Sequence, residues 1–326
     1  MISSIELRAA LEAVSAAAKL TRAVRASASP DTLQKGDRSP VTVADYGSQA
    51  VVCRTLDQYF PNVPIIAEES ASALRMAENT GVLERVTSFV EDLVPGAKPS
   101  EVTGWIDRGG SSEASDEFWT LDPIDGTKGF LRGDQYAVAL ALIRNGKPVV
   151  AALACPALTH PTDGSIGTIL WATAGGGCFQ SSGPLEGAEP VRVSRTREAA
   201  LACMSESVES GHSSHDSSAR VAAALGITSR PRRMDSQAKY AVVARGEADI
   251  YMRLPVRPSY DERIWDHAAG ALVVTESGGR VTDIFGKELD FSHGAKLLEN
   301  TGVVATNGHL HAAVLDALAR EQISAV

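Results

Sequence analysis

The string Trp119-Thr-Leu-Asp122-Pro-Ile-Asp125-Gly-Thr127-Lys128 holds two carboxylates three positions apart, separated by a proline and released into a Gly-Thr turn. Pro123 restricts the backbone and withholds an N–H, and Gly126 admits φ values that other residues resist. Asp122, Asp125 and the carbonyl of Ile124 between them can then converge on hard cations, which take oxygen ligands. An isolated D-x-x-D would be read as a solvated polar turn; the whole string argues for more. Two further acidic positions extend the set. Glu68 closes a short apolar run at 63–67, and Asp266 stands within Trp265-Asp266-His-Ala-Ala-Gly270. Alone, Asp266 would be an ordinary acidic residue at a positive helix end, and Glu68 a solvated strand end.

The elements that must position these groups are legible in outline. Ser3-x-x-Glu6 is a capping box followed by an apolar face through Leu7, Leu11, Val14 and Ala18, which predicts a helix to about residue 25. A second helix is expected over 42–59, with Asp45 near its start, then a strand at 63–67 and a helix over 82–93. The segment 95–116 reads as a mobile loop, and a short strand at 118–121 leads into the D-P-I-D-G-T turn. Strands at 136–143 and 148–154 flank Arg144-Asn145-Gly146-Lys147, a hairpin signal, and a third strand at 167–173 meets three consecutive glycines. Beyond residue 190 strands and helices alternate: helices near 219–225, 236–245, 265–276 and 309–320, strands at 249–254, 280–283 and 302–305. The chain thus divides into residues 1–190, an antiparallel-sheet part bearing most of the carboxylates, and 191–326, a smaller α/β part bearing Asp266.

Bulk properties narrow the function. The chain of 326 residues has 31 basic and 40 acidic side chains, a net charge of −9 that disfavours nonspecific nucleic-acid binding. No apolar run reaches the roughly 20 residues that span a bilayer. Glu6, Arg8 and Glu12 interrupt the N-terminus where a secretory peptide would be apolar, so a cytoplasmic location is expected, or an organellar one if a transit peptide was removed. Four cysteines (53, 155, 178, 203) lack metal-ligand spacing. They point to a reducing compartment, with Cys155 and Cys178 on neighbouring strands the one pair open to redox chemistry.

Glu68-Glu69-Ser70, Asp122-Pro-Ile-Asp125-Gly-Thr127 and Trp265-Asp266-x-x-Ala-Gly270 resemble, in order, the three motifs of the inositol monophosphatase superfamily of lithium-sensitive, metal-dependent phosphatases. The resemblance implies a layered α-β-α-β-α sandwich. Lys35-Gly-Asp-Arg-Ser-Pro-Val-Thr-Val-Ala-Asp45, Gly129-Phe-Leu-Arg-Gly-Asp-Gln-Tyr136 and Met234-Asp-Ser236-Gln-Ala-Lys239-Tyr240 are similar to its 3'(2'),5'-bisphosphate nucleotidase branch. That branch converts 3'-phosphoadenosine 5'-phosphate to AMP and often accepts the 5'-phosphosulfate.

What the resemblance implies can be placed residue by residue. Glu68, Asp122 and the Ile124 carbonyl would hold a first Mg²⁺, and Asp122, Asp125 and Asp266 a second; two or three ions are expected, with Li⁺ inhibitory. Asp45 and Thr127 would activate the water, the N–H groups of Gly126 and Thr127 would grip a phosphate oxygen, and Glu69 would support the shell. Ser236, Lys239 and Arg253 would hold the nucleotide, with His212 near the base and Asp266 at its edge. The implied partner is a small phosphorylated nucleotide, bound by a monomer or weak homodimer. Two other readings remain: an inositol polyphosphate 1-phosphatase acting on inositol 1,4-bisphosphate, and a catalytically idle, metal-bound nucleotide sensor.

Overall fold

The computed structural model describes residues 5–27, 32–34, 40–112, 115–183, 187–209, 214–256 and 262–323. In chain order the elements are α1 (Ile5–Ala26), β1 (Thr32–Gln34), β2 (Pro40–Thr42), α2 (Val43–Tyr59), β3 (Ile65–Ala67), α3 (Thr80–Glu91), α4 (Pro99–Asp107), β4 (Glu117–Asp125) and α5 (Thr127–Arg132). There follow β5 (Ala137–Arg144), β6 (Lys147–Thr159), β7 (Ile166–Thr173), β8 (Gly177–Ser181), β9 (Glu189–Val191) and β10 (Met204–Glu206). The chain closes through α6 (His215–Ala224), β11 (Arg232–Arg233), α7 (Ala238–Ala244), β12 (Ile250–Arg253), α8 (Ala268–Glu276), β13 (Arg280–Thr282), β14 (Val303–Thr306) and α9 (His311–Arg320).

Seven strands, β3 to β9 in sequence order, form one sheet that is antiparallel except where β3 runs parallel to β4. A second sheet has the order β11-β10-β12-β14-β13. Helices α1 and α2 cover one face of the large sheet, α7 and α8 lie between the two sheets, and α6 and α9 cover the outer face of the small one. This is the five-layer α-β-α-β-α arrangement expected.

The sequence of β5 shows why the layers fit. Val138, Leu140 and Leu142 point into the apolar cluster under α1, while Ala137, Ala139 and Ala141 point into the cluster that includes α8. Small residues on that face let α8, itself rich in alanine, approach the sheet closely; large ones on the other fill the space under α1. Both faces are therefore buried, and the strand reads as a continuous apolar run.

Several sequence expectations are corrected. The segment 95–116 is not simply a loop: Pro99 opens α4, a nine-residue helix with Glu101 capping its first turn. The strand expected at 118–121 continues to Asp125 as β4. The helix expected over 265–276 is split, with a single tight turn at Ile264–Asp266 preceding α8. Cys155 and Cys178 sit on β6 and β8, which β7 separates, so they are not strand neighbours. All four cysteines are free thiols, and burial pushes those of Cys53, Cys155 and Cys178 up to about 12. No helix among the described residues is long and apolar enough to cross a membrane.

Candidate active site

Along a regular strand, residues three apart face opposite sides. Asp122 and Asp125 escape this because β4 bulges: Asp122 pairs with Ala139 and Asp125 with Ala137, three steps against two. The extra residue returns both carboxylates to one side, and Pro123, which lacks a ladder donor, sits inside the irregularity. Ser48 of α2 donates to the Pro123 carbonyl at 2.8 Å and holds the bulge from below.

Asp266, from the turn before α8, completes the group. Carboxylate oxygens of Asp122, Asp125 and Asp266 lie within 4.8 Å of one another. Glu68 lies outside that group, but the parallel register that pairs Ala67 with Leu121 brings it alongside Asp122 at the same end of the sheet. Its neighbour Glu69 is clamped by Gln49 of α2, which accepts from the Glu69 N–H at 3.0 Å and donates to its carbonyl at 2.6 Å. The loop after α4 closes over this strand end, where Gly109 leaves its missing Cβ 2.8 Å from the Cβ of Ala67.

Burial first, and then the Asp266 charge, push the Asp125 carboxyl up to about 7; Lys239, Arg253 and the Gln237 N–H, 2.5 Å from Asp125 Oδ2, pull the other way. Buried like charges held this close are costly without a positive partner. The donors are all oxygen, the chemistry of Mg²⁺ rather than of a thiolate- or imidazole-bound metal. The residues present fit hard divalent cations.

Asp45 and Thr127 also meet. Thr127 Oγ1 donates to Asp45 Oδ1 at 3.1 Å, while Asp45 Oδ2 accepts from the N–H and hydroxyl of Thr42 at 2.8 and 2.5 Å. Asp45 therefore serves two structures at once, since the Thr42 N–H bond to Asp45 and the Asp45 N–H bond back to Thr42 Oγ1 form the capping box of α2. Thr127 opens α5 directly after Gly126, whose φ of 85° and ψ of 45° would strain any other residue. A side chain there would also strike Ser236, whose Cβ lies 3.1 Å from the position of the missing Cβ.

The remaining expected contacts come from the second sheet and the helices behind it. Ser236, itself at φ 67°, leads into α7, and Lys239 is buried on that helix with its ammonium over the Tyr251 ring. Burial lowers the Lys239 ammonium to about 8, against the pull of Asp125. Arg253 at the end of β12 donates through Nη2 to Asp266 Oδ2 at 3.0 Å. His212 lies outside the described residues.

Sequence reasoning missed several neighbours. Gln237 donates its side chain to the Trp265 carbonyl at 2.8 Å and accepts from the Gly270 N–H at 2.9 Å, tying Asp125 to the Asp266 turn. Buried Glu262 pairs with both Arg253 and His267; burial alone would raise its carboxyl, but these two partners outweigh that and hold it below the usual range. For Ser48 and Gln49 the available signal was spacing, since both share a helical face with Asp45; Gln237 and His267 stood inside strings already singled out.

A fold of this kind with this cluster defines a metal-dependent phosphatase family, and the comparisons agree. The chain belongs to the inositol monophosphatase family, whose model matches residues 4–323. It is 43% identical to the 3'(2'),5'-bisphosphate nucleotidase of Schizosaccharomyces pombe, covering 96% of this chain and 95% of the relative. The rice (Oryza sativa) 3'(2'),5'-bisphosphate nucleotidase is 42% identical, over 96% of this chain and 93% of the relative. Among solved structures, extragenic suppressor protein suhB from Bartonella henselae superposes with a TM-score of 0.66 at 21% identity, covering 97% of this chain and 98% of that one. CysQ from Bacteroides thetaiotaomicron, a bacterial family member, gives 0.61 at 20% identity, over 93% and 97%. At such identities these structures speak for the fold alone.

Proposed function

We propose that the chain is a Mg²⁺-dependent 3'(2'),5'-bisphosphate nucleotidase that hydrolyses 3'-phosphoadenosine 5'-phosphate to AMP and phosphate. The gathering of Asp122, Asp125 and Asp266 beside the Thr127–Asp45 pair carries this reading. The activity named for relatives at 42–43% identity over nearly the whole chain supports the substrate.

In this reading Glu68, Asp122 and the Ile124 carbonyl would hold one cation, and Asp122, Asp125 and Asp266 a second, which would supply charge neutralisation for the phosphate in an in-line displacement. The protein's own part is positioning and proton transfer. Thr127 donates its hydroxyl proton to Asp45, which leaves the oxygen lone pairs to accept from the attacking water, whose proton passes through Thr127 to Asp45. The Gly126 and Thr127 N–H groups steady a phosphate oxygen. Lys239 supplies a compact charge and Arg253 a planar fork to the nucleotide, with Ser236 alongside and His212 toward the base. Glu69, held by Gln49, keeps the strand end of Glu68 in place. The net charge of −9 supports a small-molecule substrate over nucleic acid. We further assign a monomer or weak homodimer, cytoplasmic or organellar, and inhibition by Li⁺.

A phosphate-release panel tests this. With Mg²⁺, kcat/KM on 3'-phosphoadenosine 5'-phosphate should exceed that on inositol 1,4-bisphosphate by at least about tenfold, and chelation should abolish release. A reversed preference would turn the reading to an inositol polyphosphate 1-phosphatase. Nucleotide binding without any release would leave a sensor.

A further inference from the structure

Behind Arg253 runs a line of buried polar side chains that the chemistry above does not use. Arg253 Nε lies 2.8 Å from Glu262 Oε2, and the same oxygen lies 3.1 Å from His267 Nε2. On the far side of the ring, His267 Nδ1 is 2.7 Å from the Tyr240 hydroxyl. Glu262 is 4% exposed, and His267 and Tyr240 are fully buried. One arrangement satisfies the His267 ring: Tyr240 donates to Nδ1 and Nε2–H donates to Glu262, whose Oε2 also pairs by charge with the Arg253 guanidinium. The line spans α7, the segment before α8 and β12, and ends one bond from Asp266.

Stability alone is a poor reason for such a line. Buried ion pairs give little net stabilisation over apolar packing of the same volume. Position is a better one. An arginine side chain has several soft torsions, and ordering it during binding weakens affinity. The Glu262 carboxylate, 2.8 Å from Nε, holds one edge of the guanidinium by charge while Nη2 bonds Asp266 at the other, so contact at two points restricts the side chain.

We propose that Glu262 and His267 are positioning residues that fix the Arg253 guanidinium before the nucleotide arrives. The inference rests on Arg253 gripping the nucleotide. Its effect is therefore on substrate and product affinity rather than on the proton transfer at Thr127 and Asp45.

The test is a double-mutant cycle with Glu262→Gln, Arg253→Ala and both together, read by steady-state kinetics on 3'-phosphoadenosine 5'-phosphate and by calorimetric binding of AMP. Glu262→Gln should raise KM and the AMP Kd about tenfold while kcat falls less than about threefold. In the Arg253→Ala background it should add less than about twofold, because it acts through that side chain. A folded Glu262→Gln with wild-type KM and AMP affinity overturns the proposal, as does an undiminished loss in the Arg253→Ala background. His267→Gln should move KM the same way by a smaller factor, and serves if Glu262→Gln does not fold. Failure of both to fold would make the line structural and also overturn it. A wild type that neither cleaves the nucleotide nor binds AMP defeats the functional reading instead, whereas an active wild type with indifferent variants defeats only this inference.

Discussion

At the residue scale, Asp125 is the side chain on which most arguments converge. Asn keeps its volume and its bond from Gln237 but removes the charge that a cation answers. Asp125→Asn should keep the fold and lose activity by a factor of about 10³ or more, as loss of a transition-state contact does; near wild-type release of phosphate would refute its place among the ligands. Thr127 and Asp45 separate differently. Thr127→Ala removes the γ-methyl and the hydroxyl that bonds Asp45, so kcat should drop by about 10² to 10⁴ with melting little changed. Asp45→Asn should match that loss and also destabilise α2 by about 1 kcal/mol, because Asp45 is half of its capping box. Equal melting temperatures for the two variants would mean that the cap contributes nothing.

At the element scale, α2 connects the motifs. Asp45, Ser48 and Gln49 lie on one face and reach Thr127, the Pro123 carbonyl and Glu69, so one helix sets three otherwise distant segments in register. Gln49→Ala should lower kcat/KM by about tenfold and raise the Mg²⁺ needed for half activity, since the buried Glu69 backbone loses its clamp; an unchanged Mg²⁺ curve would sever Gln49 from the site. A second element is pinned by histidine. His311 of α9 contacts Thr282 of β13 at 2.9 Å and Thr306 of β14 at 3.0 Å. Thr282 already donates to the Asp283 carbonyl and Thr306 accepts from Gly308, so a neutral ring, receiving at Nδ1 and donating at Nε2, suits both. Burial, aided by Arg280, holds His311 down at about 4. Because the folded ring resists the proton that the unfolded chain takes up, stability should fall as pH drops from about 6.5 to 4, by at most about 3 kcal/mol. Melting curves of His311→Gln should lack that part of the slope; an identical profile would place the pH dependence elsewhere.

These elements also show what the sequence could reveal. The apolar face of α1 and the Asn145-Gly146 hairpin are local patterns, and their helix and strands appear where expected to within a few residues, while Ser3 of the expected capping box lies outside the described residues. The three acidic motifs were legible because each is contiguous. α4 carried local signals, Pro99 at its start and Glu101 in its first turn, that the glycines at 109–110 obscured. The β4 bulge and the Glu262–His267–Tyr240 line were not legible, since each depends on what distant residues press against it: Ser48 from α2 and Arg253 from β12.

At the scale of the whole molecule, the two parts proposed on either side of residue 190 do not divide the core between them. One apolar cluster contains Phe118, Ala139 and Leu153 of the large sheet together with Tyr240, Val242, Ala269 and Val273 of α7 and α8. Removing the second part would strip one face of β5 and β6 bare, and the alanines there have too little bulk to shield the sheet alone. Residues 1–190 expressed by themselves should therefore aggregate or bind hydrophobic dyes, while the intact chain unfolds in a single transition. Asp266 reaches Asp122 and Asp125 only across that shared core, so ligand binding should report on it. Mg²⁺ with AMP at about 100 times its Kd should stabilise the intact chain by about 2.7 kcal/mol and move the whole transition upward as one. Two separated transitions, with only the later one shifted by ligand, would show that the parts fold independently and that the site is assembled by docking rather than by a common core.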